Sequence, residues 1–495
     1  MSQLFKASLL LTVFFGLNKI VALVRQVIIG RQFGLSAEID AFNVANNLPD
    51  LLVSLISGGA LALAFIPILS EYRIKHGQDL TWRLFSQVAN LVFLATAALA
   101  ILTAYFAPVL VSSELGIAPG FSAPQQSLVV ALMRLSLLST LIFALSGLVM
   151  SSLHAHKHFL LPALSPILYN LGLIFGAVFL YPNLGVYGLG IGSIIGALFH
   201  LLIQIPALFK FNFRYFPHLN LKDEGLIKVL SLMGPRILTV LFIQIIFLSR
   251  DNLASRLGEG AVSTLTYGYF IAQVPETLIG TAIATALLPT LSELATDKKL
   301  SEFAQTINKT FKILAATTIF ITISLSFCLD PLVGYIFNLK DIQKDLLVWT
   351  SRAYLIGLLS HCLLEVVTRS FYAFQNAILP LVATGIRTVI FLVLAILTFE
   401  TFGVFGIALI DSIAVTVEVL ILIFYLQKFL PSILSSLIKT SLRIGVGLIL
   451  SIIVIIAVFY LAPLPNLLKA ILALILATLF YLPFIGKEVK LFLKL

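Results

Sequence analysis

Long apolar runs, repeated along the whole chain with the charges gathered between them, restrict this sequence more than any other feature. Residues of the hydrophobic class make up 60% of it and charged residues 11%, where a soluble domain carries roughly a quarter charged. A bilayer core takes about 20 apolar residues per helical crossing. Runs of that length lie near 7–30, 40–71, 84–111, 126–152, 159–181, 185–209, 226–249, 261–292, 310–337, 347–373, 377–399, 403–427, 438–462 and 466–486. Lipid offers backbone groups no partner, so such runs become helices. The reading is an all-α membrane protein with about 14 transmembrane helices. The second and eighth runs exceed what a bilayer needs, and each has a Pro inside and another near its end. They are expected to be tilted or broken.

An even number of crossings leaves both termini on one face. That face collects Lys6, Arg73, Lys75, Arg83, Lys157, Lys210, Arg214, Lys222, Lys228, Lys298, Lys299, Lys309, Lys312, Arg369, Lys428, Lys439, Arg443, Lys487, Lys490 and Lys494. The other face has Arg31, Arg250, Arg256, Lys340, Lys344 and Lys469. Cytoplasmic loops carry the excess of Lys and Arg, so both termini are expected in the cytoplasm of a multi-pass membrane protein. The net charge of +10 then reflects loops facing anionic headgroups, with no nucleic acid required. The first run contains Lys19 and Arg25 and has no small-residue cleavage site, unlike a signal peptide. Cys328 and Cys362 both fall within spans and read as packing residues, with no disulfide or metal site.

No GxxxxGK[ST], HExxH or GxSxG pattern occurs, and the hydrophilic loops are too short to hold a soluble domain. A transporter without cofactor or metal is expected rather than an enzyme, with a monomer as the default state. The chain also repeats itself. AFIPILSEY at 64–72 resembles ALLPTLSEL at 286–294, and Leu48-Pro49-Asp50 resembles Val274-Pro275-Glu276. At a constant offset of 218, Ser152, Ala155, Leu161 and Pro162 match Ser370, Ala373, Leu379 and Pro380, and GVYG at 185–188 matches GVFG at 403–406. Each copy holds an even six spans, so both copies have one orientation. Two parallel six-helix lobes, 1–210 and 225–428, around a central cavity are the result, with two additional helices in 438–486. Pro49, Pro67, Pro275 and Pro289 stand at matching places as candidate hinges, with helix termination as the plainer role.

Ionisable residues inside spans are costly and mark function or pairing. The basic ones are Lys19, Arg25, Arg134, Arg236, Arg352 and Arg387; the acids include Asp40, Asp330, Glu365, Asp411 and Glu418. Lys19 and Arg25 are six apart, about 120° around a helix, and share a broad face. With Asp40 they form a candidate cationic patch for a phosphate-bearing substrate; a structural Arg25–Asp40 pair is the alternative. Asp411 and Glu418, seven apart, share one helical face and have Arg387 as a candidate partner. They form either an ion pair that fixes register or a proton or cation site for coupling. Arg352 and Glu365 carry the same ambiguity. Gly188, Gly192 and Gly196 read as a helix-packing seam.

The segments NKIVALVRQ (18–26), FGLSAEIDAFNVANNLPDLL (33–52), GGALALAFIPILSEY (58–72), TYGYFIAQVPETLIG (266–280) and TALLPTLSE (285–293) resemble the MurJ/MviN lipid II flippase family, within the multidrug/oligosaccharidyl-lipid/polysaccharide exporter superfamily. The resemblance implies a flippase that moves the undecaprenyl-pyrophosphate-linked peptidoglycan precursor outward by alternating access in cell-wall biosynthesis, in a bacterial cytoplasmic membrane. It places substrate-binding roles on Lys19, Arg25 and Asp40, and a lipid-tail groove at the two additional helices. The chain departs from the family pattern at Val53 and Ser54, where an arginine is common, at Phe270 and Gln273, where an Arg and a Glu often stand, and at Phe391 and Ala395 in a sodium site of some members. A less cationic cavity is expected, without that sodium site. Two other functions stay open: export of another polyprenyl-linked glycan or a drug, and a non-transporting scaffold for cell-wall enzymes.

Overall fold

The computed structural model describes residues 3–56, 59–430 and 437–492, with side chains described outside 3–13, 15, 56, 59–64, 234–236, 437–442 and 487–492. Lys6, Arg236, Lys439, Lys487, Lys490 and Lys494 therefore lie outside the described side chains.

The described residues form helices joined by short turns, with no strand among them. We number them α1 (Gln3–Phe33), α2 (Ala37–Ile56), α3 (Gly59–Lys75), α4 (Gly77–Ser112), α5 (Ala123–Ala155), α6 (Leu160–Leu184) and α7 (Tyr187–Lys210). Next along the chain come α8 (Glu224–Ser255), α9 (Ala261–Thr296), α10 (Leu300–Phe337), α11 (Asp341–Ala373) and α12 (Ile378–Phe429), then α13 (Leu437–Leu461) and α14 (Asn466–Phe492). Among the described residues, 11 helices are long and apolar enough to cross a membrane. One of them, the 52-residue α12, leaves helical geometry at Gly403 and holds two crossings. With α1 and the α2–α3 pair, these account for the fourteen runs seen in the sequence.

The turn inside α12 shows the duplication at the level of backbone angles. Gly185 has φ 56° and ψ −144°, and its counterpart Gly403 has φ 56° and ψ −148°. A Cβ at either would meet nothing within 4 Å, so glycine is needed there for conformation and not for space. Lys157 (φ 56°) and Gln375 (φ 57°), again 218 apart, repeat one another in the left-handed region. The in-span arginines repeat too. Arg134 Nε donates to the Ala104 carbonyl at 3.1 Å, and Arg352 Nε to the Ser326 carbonyl at 3.1 Å.

Packing divides the chain into two compact units, Met1–Val262 and Ser263–Leu495. In the first, α8 packs on α2, α3 and α4. The connection from α7 to α8 is strapped along α4. Trp82 Nε1 donates to the Phe211 carbonyl, the Phe216 amide donates to Ser86 Oγ, and the Asn220 amide donates to Gln87 Oε1. α6 and α7 meet through glycines, where a Cβ on Gly172 would lie 2.3 Å from Gly196 Cα and one on Gly192 2.8 Å from the Gly172 carbonyl. Small residues let the backbones approach this closely.

In the second unit the two additional helices α13 and α14 pack against one another and onto α10. Tyr481 stacks on Phe320 at 4.4 Å and donates its hydroxyl to the Ala316 carbonyl at 2.8 Å. Both cysteines are buried and free; Cys328 belongs to this α10–α14 core.

Candidate functional site

A polar constellation stands out among the apolar helices of each unit. In the first it stands on α1, α2 and α6. Arg25 makes no hydrogen bond or ion pair with any described residue, and its Nε is buried without a partner. Asp50 and Tyr169 are the groups within electrostatic reach of it. Asp50 is itself exposed, near Arg25 but not in an ion pair with it. A guanidinium with free donors in a low-dielectric wall is a strong, geometrically selective receptor for phosphate oxygens. Lys19 lies half-buried on the same helix. Beside it, Asn170 Nδ2 donates to Asn18 Oδ1 at 2.9 Å and so fixes α6 against α1.

Asp40 is placed elsewhere. The sequence groups it with Lys19 and Arg25, but its side chain is fully buried and Oδ2 accepts the Gly260 amide at 2.6 Å. The neighbouring Ala37 amide donates to Glu259 Oε1 at 3.0 Å. Asp40 thus anchors the start of α2 to the turn before α9. Ten residues of helix separate it from Asp50, about 15 Å along the axis, and Asp50 is the acid that faces Arg25.

In the second unit Arg387 bridges the two acids expected beside it. Its Nη2 lies 3.0 Å from Asp411 Oδ1 and its Nη1 3.3 Å from Glu418 Oε2. Thr384 Oγ1 donates to the other Glu418 oxygen at 2.7 Å. All three charged side chains are nearly inaccessible, at 12%, 9% and 2%. His361 on α11 and Glu276 on α9 join them: the imidazole lies 3.8 Å from Asp411 and 3.9 Å from Glu276.

Arg352 makes no contact with this cluster, and Glu365 lies within electrostatic reach of Glu276 without pairing with a member of it. Arg352 lies over the Trp349 ring at 4.7 Å, while Glu365 pairs with Arg369 one turn along α11. Asp330 pairs with Lys344 at 3.1 Å.

Of the four prolines, Pro49 and Pro275 are buried and Pro67 and Pro289 exposed. Pro275 immediately precedes a π-helical turn, Glu276–Thr281. A proline cannot donate to the preceding turn, and the wider turn absorbs the mismatch while re-aiming the helix beyond it. That places Glu276 toward α11. Gly280 makes the approach possible, since a Cβ there would lie 2.8 Å from Cys362 Cα.

Asp50, Tyr169, Glu276 and His361 were not among the residues singled out as a site in the sequence. The signal existed for two of them. The repeated Leu-Pro-Asp and Val-Pro-Glu triplets place an acid after each buried proline, although the match reads first as a mark of duplication.

Comparison with known proteins identifies the lineage. The family model described as "Lipid II flippase MurJ" matches residues 29–479. The chain belongs to the MurJ family. The lipid II flippase MurJ of Burkholderia cenocepacia is 32% identical over 399 residues, covering 78% of this chain and 77% of the relative. A probable lipid II flippase MurJ of Treponema pallidum is 26% identical over 464 residues, covering 91% and 86%. Among solved structures, a MurJ described as inward closed superposes with a TM-score of 0.80 at 24% identity, covering 97% of this chain and 100% of that one. An inward-facing multidrug resistance MATE transporter of the MOP superfamily shares the fold at a TM-score of 0.71 and 14% identity. The MurJ fold is thus present over nearly the full chain, in an assembly of apolar helices suited to a bacterial inner membrane.

Proposed function

We propose that this chain is a lipid II flippase, carrying the lipid-linked peptidoglycan precursor from the inner to the outer leaflet by alternating access. Family membership supports the substrate class. The single structural observation that carries the reading is Arg25, whose buried Nε has no partner among the described residues, beside Asp50 and Tyr169 on three different helices. Free donors at that position suit the pyrophosphate of an isoprenoid-linked sugar. Asp50 limits how long an anion remains, as a site that must also release its cargo requires.

The second constellation acts differently. Arg387 is paired through both Nη atoms with Asp411 and Glu418, with only its Nε unpartnered, so its charge is already balanced and it serves as an internal brace across the two halves of α12. The distribution of Lys and Arg supports cytoplasmic N and C termini. A monomer is the working unit in this reading.

The test is binding by the full chain in lipid nanodiscs. Lipid II should bind, and Arg25→Ala should weaken it by about ten- to a hundredfold, the loss expected for a charge-assisted contact of about 1.5–3 kcal/mol. Arg25→Lys should recover part of the loss. Equal affinity in Arg25→Ala removes this residue from recognition.

A further inference from the structure

The His361 ring stands between two carboxylates. Its Nδ1 lies 3.9 Å from Glu276 Oε1 and its Nε2 3.8 Å from Asp411 Oδ2. Both distances exceed a hydrogen bond, and Nε2 is buried without a partner. A neutral imidazole has one N–H and one lone pair. It can therefore serve one of these carboxylates and must turn a lone pair toward the other. Only the ring with a second proton presents a donor to both.

The surrounding charges point the same way. α12 contributes Arg387, Asp411 and Glu418, and α9 contributes Glu276 and the Tyr269 ring, 6.5 Å from His361. On α11 itself, Glu365 is balanced by Arg369, and Cys362 is a buried free thiol. Arg387 thus faces three carboxylates alone. Leaving such an excess of negative charge inside a bundle is costly, and one more positive charge relieves it.

We propose that Glu276, His361 and Asp411 form a proton-binding site whose occupancy is linked to the transport cycle. The proton comes from water and leaves to water, with no other bond made or broken. Glu276 is its point of access, since its side chain is 16% exposed against 9% for His361. It makes no hydrogen bond within the described residues. When the proton is held, the ring ties the π-turn of α9 to Asp411 on α12. When it is lost, that tie becomes repulsive and Asp411 is held by Arg387 alone. Two arrangements of α9 against α11 and α12 then differ by one bound proton, the requirement for a switch. The binding site stands on this geometry; its link to transport rests on the flippase reading.

The experiment uses the full chain in lipid nanodiscs with 15N-labelled histidine. The chain has 7 histidines, and the spectrum of His361→Gln identifies the signal of His361. That signal should pass between neutral and doubly protonated patterns as the pH is lowered, and Glu276→Gln or Asp411→Asn should move the transition. A His361 signal that stays neutral throughout, or is indifferent to both acid substitutions, overturns the site. Transport is read separately, as lipid II reaching the outer leaflet of cells whose proton gradient is collapsed at constant membrane potential. The parent chain should slow, and His361→Gln should lose that response. A parent chain that transports at an unchanged rate overturns the coupling. A chain that moves no lipid II at all refutes the flippase reading, while the histidine spectra still decide the proton site.

Discussion

Two arginines inside the bilayer have opposite surroundings. Arg25 has no protein partner among the described residues, whereas Arg387 is held between two acids and a threonine orients one of them. Removing one partner of a buried ion pair leaves its charge uncompensated, at a cost of about 3–5 kcal/mol. Arg387→Ala, which strands both acids, should therefore lower the thermal stability of the purified chain far more than Arg25→Ala does. The ordering can be read in one unfolding series, and similar losses for both would contradict the division into receptor and brace. Sequence spacing revealed the Arg387–Asp411–Glu418 group because seven residues make two helical turns, and charge balance calls for a facing arginine. It did not reveal Asp50 as the acid near Arg25. Asp40 and Asp50 lie on the same helix, and only tertiary packing decides which of them meets α1.

Single elements account for most of the helix-to-helix geometry. The Gly188, Gly192 and Gly196 seam meets Gly172 and Gly176 at backbone contact. Gly192→Leu should force α6 and α7 apart and reduce the amount of folded protein in the membrane several-fold, measured by quantitative immunoblot of membrane fractions. Normal abundance in that variant would contradict close packing there. At the end of α5, His156 is buried and stacks on Trp82 at 5.0 Å, with Nδ1 2.8 Å from the Ser152 carbonyl. Burial, with Arg73 adding to it, holds the His156 imidazole below its usual range. The folded form therefore prefers the neutral ring, and this contribution to stability is complete above about pH 6.5 and is lost as pH falls toward the lowered folded value. Hydrogen exchange in the 211–223 strap should quicken on acidification through that window, and His156→Phe should remove the part due to this ring. Unchanged protection in the parent chain would refute the assignment. Glu71 shows the opposite sense at a surface. Lys228, with Lys75 beside it, holds its carboxyl down to about 2, so its ties persist until strong acid, with little effect on stability because they are exposed.

For the molecule as a whole, the apolar runs and sidedness of Lys and Arg made the membrane class and span number legible, because lipid leaves the backbone no alternative to helix. The duplication was legible as well, and Gly185 and Gly403 carry it into matching backbone angles. Less legible was the role of individual charges. Arg352, open in the sequence between an ion pair and a coupling site, donates to a carbonyl, matched by Arg134 in the first copy. A pattern of charge in a span cannot distinguish an arginine that caps a carbonyl from one that awaits a ligand. The π-turn after Pro275, which brings Glu276 to His361, was equally hidden, since a proline signals a bend but not its direction. The central claim, that the chain flips lipid II, is tested most directly by depleting the resident lipid II flippase of a bacterial host, expressing this chain, and measuring lipid II exposed on the outer leaflet. Restored exposure, abolished by Arg25→Ala at equal membrane abundance, is the predicted result. No exposure with the parent chain abundant in the membrane would contradict the claim and redirect it to another polyprenyl-linked substrate.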